Sequence, residues 1–472
     1  MTQKEHTPDE IPLLSSVTTA EKKKSEGEKR DPQECNNDED LSNDWQAIWN
    51  IINGQQGAAL LGAPYAISVG GVWSLVSLLM VAIIANYTSK ILVKCLFADD
   101  DEEDDESDIR SYSSSQSDGS ISIDENGRPQ RRIYNSYMEI ADATIPGGGY
   151  FVRFSVFVSA FSIAIMYLQT VSAIAYDTVG RFVEVPQSLL LGIGAGFCLL
   201  FVFVSNLTKM SFLSLLAIIS LVLLIISVTY FSMGKPDEWY TEYLLRFEFA
   251  DFMLSTSIIV FNYSSQFFII DIFDSMKEKT HFRAVLNFST IISTFLFFAI
   301  SLPACLVFGP SLNEFVILSF PVGIFKYSVN VAFIIKSIFS FPFAIYLSEL
   351  YLPKCPFEVP DWATPSTEMG AYYFACFRRA VLVVLSFVVA MYLPSYAFIL
   401  HFIGGSIMVF TEIILPAWFH WRLKRKAPFI QQLADVLIIV FGVIVGITTI
   451  FFEVENLFTP DEPMPTTPLP LS

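Results

Sequence analysis

Residues 50–65 read NIINGQQGAALLGAPY, and this stretch decides how the chain is built. It lies in an apolar run of membrane-spanning length, but three glycines, a proline and several amides interrupt its middle. Inside a bilayer, a broken helix is tolerated only where protein, cavity water or a ligand satisfies the freed backbone groups. The stretch therefore predicts a helix that unwinds to form a binding site near the midplane, as in many secondary transporters. Close helix packing through small residues is the alternative explanation for the glycines.

The composition is that of an integral membrane protein. The 472 residues are 53% hydrophobic and only 16% charged, compared with roughly 25% in soluble domains. The mean hydropathy is +0.50, and apolar runs recur at the length that crosses a lipid bilayer. A net charge of −18, much of it in the acidic tract 99–108, argues against nucleic acid as a partner.

The apolar runs divide the chain into a membrane domain, 44–452, and three polar segments. The polar segments are an N-terminal tail (1–43), an acidic, Ser-rich loop (98–132) and a short C-terminal tail (453–472). We expect the N-terminal tail and the acidic loop to be disordered. The predicted spans 1 to 11 are 44–67, 70–97, 148–178, 186–205, 209–232, 250–272, 284–309, 326–351, 376–394, 396–420 and 429–452.

Basic residues in the short loops set the predicted orientation. With a cytosolic N-terminus, eleven basic residues face the cytosol and four face the opposite side, as the positive-inside rule requires. The cytosolic residues are Lys209, Lys277, Lys279, Arg283, Lys354, Arg378, Arg379, Arg422, Lys424, Arg425 and Lys426, and the others are Arg181, Lys235, Arg246 and Lys326. An odd number of spans then places the C-terminus in a lumen or outside the cell.

Span 6 contains a second polar interruption, FNYSSQ at 261–266. It lies five spans after the first, so the two broken helices cross the membrane in opposite directions. Broken helices at corresponding positions of two halves are typical of inverted-repeat transporters, with the binding site at the repeat interface. Serine hydroxyls bonded to the preceding helical turn are the alternative explanation for this motif.

The two breaks supply the candidate substrate-binding residues. An unwound segment exposes backbone N–H groups at a half-helix N-terminus, where the helix dipole favours an anion such as an amino acid carboxylate. The candidates are Asn53, Gln55, Gln56 and Gly57 in span 1, Tyr263, Ser264 and Ser265 in span 6, and Tyr167 in span 3. Tyr167 could instead be a packed or interfacial aromatic residue.

Lys336 in span 8 and Glu412 in span 10 are the candidate coupling residues. A charged side chain at membrane depth is costly and suggests function, although a structural ion pair inside the bundle is an equal alternative for Lys336. Lys336 could replace a coupling cation, or pair with a carboxylate or chloride. The sequence has no phosphate-binding loop, metal-binding His pair or nucleophile elbow, so we predict neither an enzyme nor a cofactor or metal site.

The N-terminal tail contains a candidate sorting signal. Residues 9–14 read DEIPLL, in which Asp9, Leu13 and Leu14 match the acidic dileucine pattern read by clathrin adaptors. Such short patterns also arise by chance. The acidic loop is a candidate for phosphorylation, or is a self-repelling linker.

Several motifs together resemble the amino acid/auxin permease family. They are WN at 49–50, QG at 56–57, LGAPYAI at 61–67, YTSKIL at 87–92, IYNSY at 133–137, IIVFNYSSQ at 258–266, the stretch 333–343 around Lys336, and LP at 415–416 followed by FH at 419–420. The resemblance covers nearly all of 45–452. A proline usual after the Ser-Gln pair of span 6 is absent, and residues 268–270 read FII instead.

The resemblance implies an all-α integral membrane protein with a LeuT-type 5+5 inverted repeat and an eleventh helix. It also implies loading of GABA, glycine or both into synaptic vesicles by proton antiport, with chloride as a further candidate ion. One alternative is a neutral amino acid permease of the same family at the plasma or lysosomal membrane. Another is an amino acid sensor that signals through its tails without transporting.

Overall fold

The computed structural model describes residues 41–55, 57–97, 121–123, 129–202, 210–234, 239–241, 245–352, 368–393 and 395–458. Its α-helices are Asp44–Gln55, Ala63–Gly70, Trp73–Lys94, Tyr137–Thr144, Gly148–Val179, Gln187–Val202, Met210–Gly234, Phe249–Asn262, Gln266–Ser275, Phe282–Phe308, Ile324–Leu350, Glu368–Tyr392, Tyr396–Ile403, Leu415–Leu423 and Phe429–Phe458. Short 3₁₀ segments are Ala58–Gly62, Lys279–His281, Gly309–Ser311 and Val316–Ser319, and Gly404–Ile414 is a π-helix. Strands Ile121–Ile123 and Pro129–Arg131 pair as an antiparallel hairpin, with Ile121 opposite Arg131.

Eight helices in the described part of the chain are long and apolar enough to cross a membrane. Three shorter apolar helices lie at Ala59–Gly70, Gln187–Phe201 and Ile219–Met233. These segments fall at the positions of spans 1 to 11, and the span numbers are kept for them below. The short helix Tyr137–Thr144 precedes span 3 and packs on the apolar cluster around the first half of span 1.

Span 1 is broken where the glycines and amides interrupt it. Half-helix 1a (Asp44–Gln55) ends before Gly57, and half-helix 1b (Ala63–Gly70) begins after a 3₁₀ turn. Pro64 lies in the first turn of half-helix 1b, where its missing N–H removes no helical hydrogen bond. The local sequence therefore ends one half-helix and starts the next.

Span 6 is broken in the same way. Half-helix 6a (Phe249–Asn262) ends at Asn262, and half-helix 6b (Gln266–Ser275) begins after Ser265. The start of half-helix 1a meets the end of half-helix 6b, since the Ser42 amide donates to the Ser275 carbonyl at 2.8 Å. The two broken spans therefore run antiparallel to each other.

Two clusters of buried apolar side chains meet at the level of the breaks. The first surrounds half-helix 1b and half-helix 6a and continues through the middle of spans 3, 7 and 8. The second surrounds half-helices 1a and 6b, with Ile51 and Phe273 among its fully buried members. We call the membrane face on the side of the second cluster the inner face. The breaks thus lie between two separately packed halves of the bundle.

Candidate functional site

The two breaks face each other through Gln55 and Ser265. The Gln55 side-chain amide donates to the Ser265 hydroxyl at 3.4 Å, although 210 residues separate them. The Ser293 hydroxyl of span 7 donates to the Gln55 carbonyl oxygen at 2.8 Å. Gln55 is only 4% exposed, so both ends of its amide are used inside the protein. The structure thus brings together two of the residues predicted from the sequence.

Gly57 lies at the start of the segment leading into half-helix 1b. It occupies the N-cap position of the 3₁₀ turn, and as a glycine it provides no side-chain cap. A Cβ atom at Gly57 would lie 3.6 Å from the Tyr167 hydroxyl oxygen. Tyr167 therefore lies beside the break.

Lys336 reaches the same end of span 1. Its ammonium donates to the Gly57 carbonyl at 3.4 Å and lies 5.2 Å from the centre of the Phe333 ring. Lys336 and Ser340 are four residues apart on one helix, so they share a face of span 8. This face, Tyr167 and the first break form one polar region inside an apolar bundle.

Glu412 reaches the other break. Its Oε2 atom accepts from the amides of Ser265 at 2.7 Å and Gln266 at 2.9 Å, so a carboxylate from span 10 caps half-helix 6b. A carboxylate at a helix N-terminus is favoured by the free N–H groups and by the helix dipole. Glu412 is 2% exposed, and its Oε1 atom has no hydrogen-bond partner within the residues that the structure describes.

The sequence analysis missed Gln266 as a connecting residue. Its side-chain amide donates to the Thr88 hydroxyl of span 2 at 2.8 Å and to the Glu412 carbonyl at 3.1 Å. Gln266 therefore ties the start of half-helix 6b to spans 2 and 10. An amide next to the predicted break was the available signal, but its partners are far away in sequence.

The remaining described candidates are Tyr263, Ser264 and Asn53. The Tyr263 hydroxyl pairs with the Thr294 hydroxyl of span 7 at 2.6 Å, and Ser264 donates back to the Phe261 carbonyl at 2.9 Å. The second contact is the serine back-bonding that the sequence left open. Asn53 lies in the last turn of half-helix 1a, and its amide nitrogen is buried without a hydrogen-bond partner in the described ranges.

Four predicted residues lie outside the described residues: Gln56, Asp9, Leu13 and Leu14. The same holds for most of the acidic loop and the C-terminal tail. In the described part of the chain no group of three or more His, Cys, Asp or Glu residues could hold a metal ion. The site therefore offers hydrogen bonds, a helix terminus and two charged groups, an arrangement suited to binding a small zwitterion.

The amino-acid sequence is similar to those of known transporters. The family described as transmembrane amino acid transporter protein matches residues 41–116 and 121–454. The vesicular inhibitory amino acid transporter of Homo sapiens is 26% identical over 432 residues, which cover 88% of this chain and 76% of that protein. The vesicular GABA transporter of Caenorhabditis elegans is 24% identical over 418 residues, which cover 87% of this chain and 79% of that protein.

A solved structure is similar in fold. The manganese transporter of Eremococcus coleocola matches with a TM-score of 0.50 and 9% identity, over 88% of this chain and 87% of that one. At this identity the similarity concerns the fold alone. The prediction of an all-α membrane protein with the LeuT-type architecture is confirmed, with the small hairpin as the only β-sheet among the described residues.

Proposed function

This chain belongs to the transmembrane amino acid transporter family, and from that premise we propose that it loads GABA, glycine or both into synaptic vesicles. It is an amino acid transporter and not an enzyme. In the proposal, transport is secondary active and exchanges the amino acid for protons that a proton pump has concentrated in the vesicle. The names of the two relatives, one for inhibitory amino acids and one for GABA, support this choice of substrate.

The turn that begins at Gly57 carries the proposal. The amino end of the half-helix behind it favours an anion, and the Lys336 ammonium lies nearby. A substrate carboxylate at this end can also reach the Tyr167 hydroxyl. The substrate contacts in this proposal are those of the two breaks together with Tyr167.

Two charged residues provide the proposed coupling. Glu412 is a buried carboxylate with one oxygen on half-helix 6b and the other without a partner in the described ranges, so a proton can bind to it without breaking another contact. Lys336, when protonated, provides a positive charge that can pair with the substrate carboxylate or with chloride. Protonation of Glu412 would weaken the cap of half-helix 6b, because a charge-assisted hydrogen bond is about twice as strong as a neutral one.

Transport by purified protein tests the proposal. Proteoliposomes with an acidic, positive interior should accumulate labelled GABA and glycine, and an ionophore that collapses the gradient should abolish the accumulation. Equal uptake with and without the ionophore would contradict proton coupling. Uptake of other neutral amino acids, but of neither GABA nor glycine, would favour the permease of the plasma or lysosomal membrane.

The location and orientation belong to the same proposal. The N-terminus lies in the cytosol, the C-terminus lies in the vesicle lumen, and Asp9, Leu13 and Leu14 bind a clathrin adaptor. An epitope tag at the C-terminus of sealed vesicles should then resist protease, whereas a tag at the N-terminus should not. Steady residence of the unmodified protein at the cell surface would contradict the vesicular location.

A further inference from the structure

The π-helix of span 10 ends next to a residue that has no backbone N–H. At its end the Leu415 amide donates to the Phe410 carbonyl, five residues back. Residue 416 would continue this π ladder by donating to the Thr411 carbonyl, or would begin an α ladder by donating to the Glu412 carbonyl. Pro416 can do neither, because proline has no N–H. The two carbonyls therefore need donors from elsewhere.

Side chains of two other elements supply these donors. The Tyr137 hydroxyl donates to the Thr411 carbonyl at 2.6 Å, and the Gln266 side-chain amide donates to the Glu412 carbonyl at 3.1 Å. Tyr137, from the short helix before span 3, is 4% exposed, and its ring packs edge-on against that of Phe419 at 5.9 Å. A buried carbonyl without a donor is costly, so the Tyr137 hydroxyl stabilises the π ladder at the point where the ladder ends.

The register of this ladder decides where the Glu412 side chain points. With 3.6 residues per turn, a shift of the ladder by one residue turns a side chain by about 100° around the helix axis. In the π register, the Glu412 carboxylate accepts from the amides of Ser265 and Gln266. A carboxylate turned by that angle would lie on another face of span 10 and would no longer cap half-helix 6b.

The other end of the π-helix is fixed by close packing. A Cβ atom at Gly404 would lie 2.3 Å from the Ser257 carbonyl oxygen of span 6. A Cβ atom at Gly405 would lie 2.4 Å from the Thr449 side chain of span 11. Rotation at this end is therefore blocked by its neighbours, and a change of register has to be taken up at the end that Tyr137 contacts.

We propose that Tyr137 is a positioning residue for Glu412. Its hydroxyl satisfies the Thr411 carbonyl, holds span 10 in the π register and so keeps the Glu412 carboxylate on half-helix 6b. Tyr137 acts through the backbone of span 10. Its effect on proton coupling rests on the proposed function, whereas its effect on the position of the carboxylate does not.

A double-mutant cycle tests the positioning without transport. Tyr137→Phe removes the hydroxyl and keeps the ring that packs on Phe419. Glu412→Gln should lower the melting temperature in detergent by less than half as much in this background as in the wild type, because the carboxylate no longer caps half-helix 6b. In the control Tyr87→Phe, which loses a hydroxyl bonded to Asp435 at 2.8 Å, Glu412→Gln should have its full effect. An equal effect in wild type and Tyr137→Phe would overturn the inference.

Pro416→Ala provides the matched rescue. In the π register the new N–H at position 416 can donate to the Thr411 carbonyl, so the Tyr137 hydroxyl is no longer needed. Tyr137→Phe/Pro416→Ala should therefore regain at least half of the melting temperature that Tyr137→Phe loses, and Glu412→Gln should again have its full effect. Absence of any recovery would show that the Thr411 carbonyl does not set the register, which also overturns the inference.

Transport separates this inference from the proposed function. If the wild type accumulates GABA or glycine, uptake by Tyr137→Phe should show the pH dependence of Glu412→Gln, and Pro416→Ala should restore the wild-type pH profile. A lower rate with an unchanged pH profile would mean that Tyr137 supports the fold without positioning the carboxylate. If the wild type transports no amino acid, the proposed function fails, and the melting-temperature cycle still decides the inference.

Discussion

Removal of the Glu412 carboxylate should destabilise the protein through half-helix 6b. Glu412→Ala leaves the Gln266 amide buried without an acceptor, whereas the Ser265 amide keeps the Gln266 side-chain oxygen at 3.2 Å. The unsatisfied Gln266 donor costs about 1–3 kcal/mol, and the lost bond from Ser265 to a charged acceptor costs about 1.5–3 kcal/mol more. Glu412→Gln keeps an oxygen at the same place and loses only the charge assistance, which corresponds to roughly 1–3 kcal/mol.

The order of the two variants is the result to measure. Melting temperatures in detergent, read by fluorescence-detected gel filtration, should fall in the order wild type, Glu412→Gln, Glu412→Ala. Glu184→Ala removes an exposed carboxylate from a loop and should leave the melting temperature unchanged. An alanine variant that melts with the wild type would refute the capping role.

Three further variants test the first break and the inner face. Gly57→Leu should abolish uptake with normal expression, because the new side chain would extend toward the Tyr167 hydroxyl. Gly196→Leu is the control and should transport normally, because a Cβ atom at Gly196 meets nothing within 4 Å. Tyr167→Phe should raise the KM severalfold with little effect on expression, and an unchanged KM would remove this hydroxyl from substrate binding. The Asp44 carboxylate raises the pKa of exposed His281, first by accepting a hydrogen bond from its ring and then by its charge. Their contact is therefore strongest in acid and is lost as the pH rises through that raised pKa. Asp44→Asn should therefore flatten the fall of the melting temperature over this pH range, and an unchanged pH profile would contradict the argument.

The places where the helices break could be predicted from local chemistry. Glycines, amides and Pro64 disfavour a continuous span 1, and the structure ends half-helix 1a at Gln55. In span 6 the polar residues 262–266 coincide with the break after Asn262. In both cases the signal lies in the residues that change conformation, so no knowledge of distant contacts was needed.

The partners across the breaks could not be predicted, because they depend on tertiary packing. Glu412 stood out as a lone carboxylate in an apolar span, but 147 residues separate it from the amide of Ser265. The bridge between Ser42 and Met276 uses backbone atoms and therefore leaves no mark on side-chain identity. The π-helix at Gly404–Ile414, predicted only as part of span 10, likewise has no simple signature in its apolar sequence.

In the proposed function, the charges at the two breaks connect proton coupling to chloride. When Lys336 carries a proton and Glu412 does not, the two residues have no net charge, and a zwitterionic substrate adds none. A proton on Glu412 leaves one positive charge at low dielectric, which is costly unless an anion neutralises it. Chloride beside Lys336 would supply that anion.

Uptake should therefore depend on chloride most strongly when Glu412 is neutral. Glu412→Gln should transport with a stronger chloride dependence than the wild type at a pH where the wild-type carboxyl is ionised, whereas Lys336→Ala should lose chloride dependence altogether. The measurement is initial uptake into proteoliposomes when chloride is replaced by gluconate at fixed membrane potential. An equal chloride dependence in all three proteins would mean that these two residues do not balance each other's charge, and Lys336 would then have a structural role at the Gly57 carbonyl.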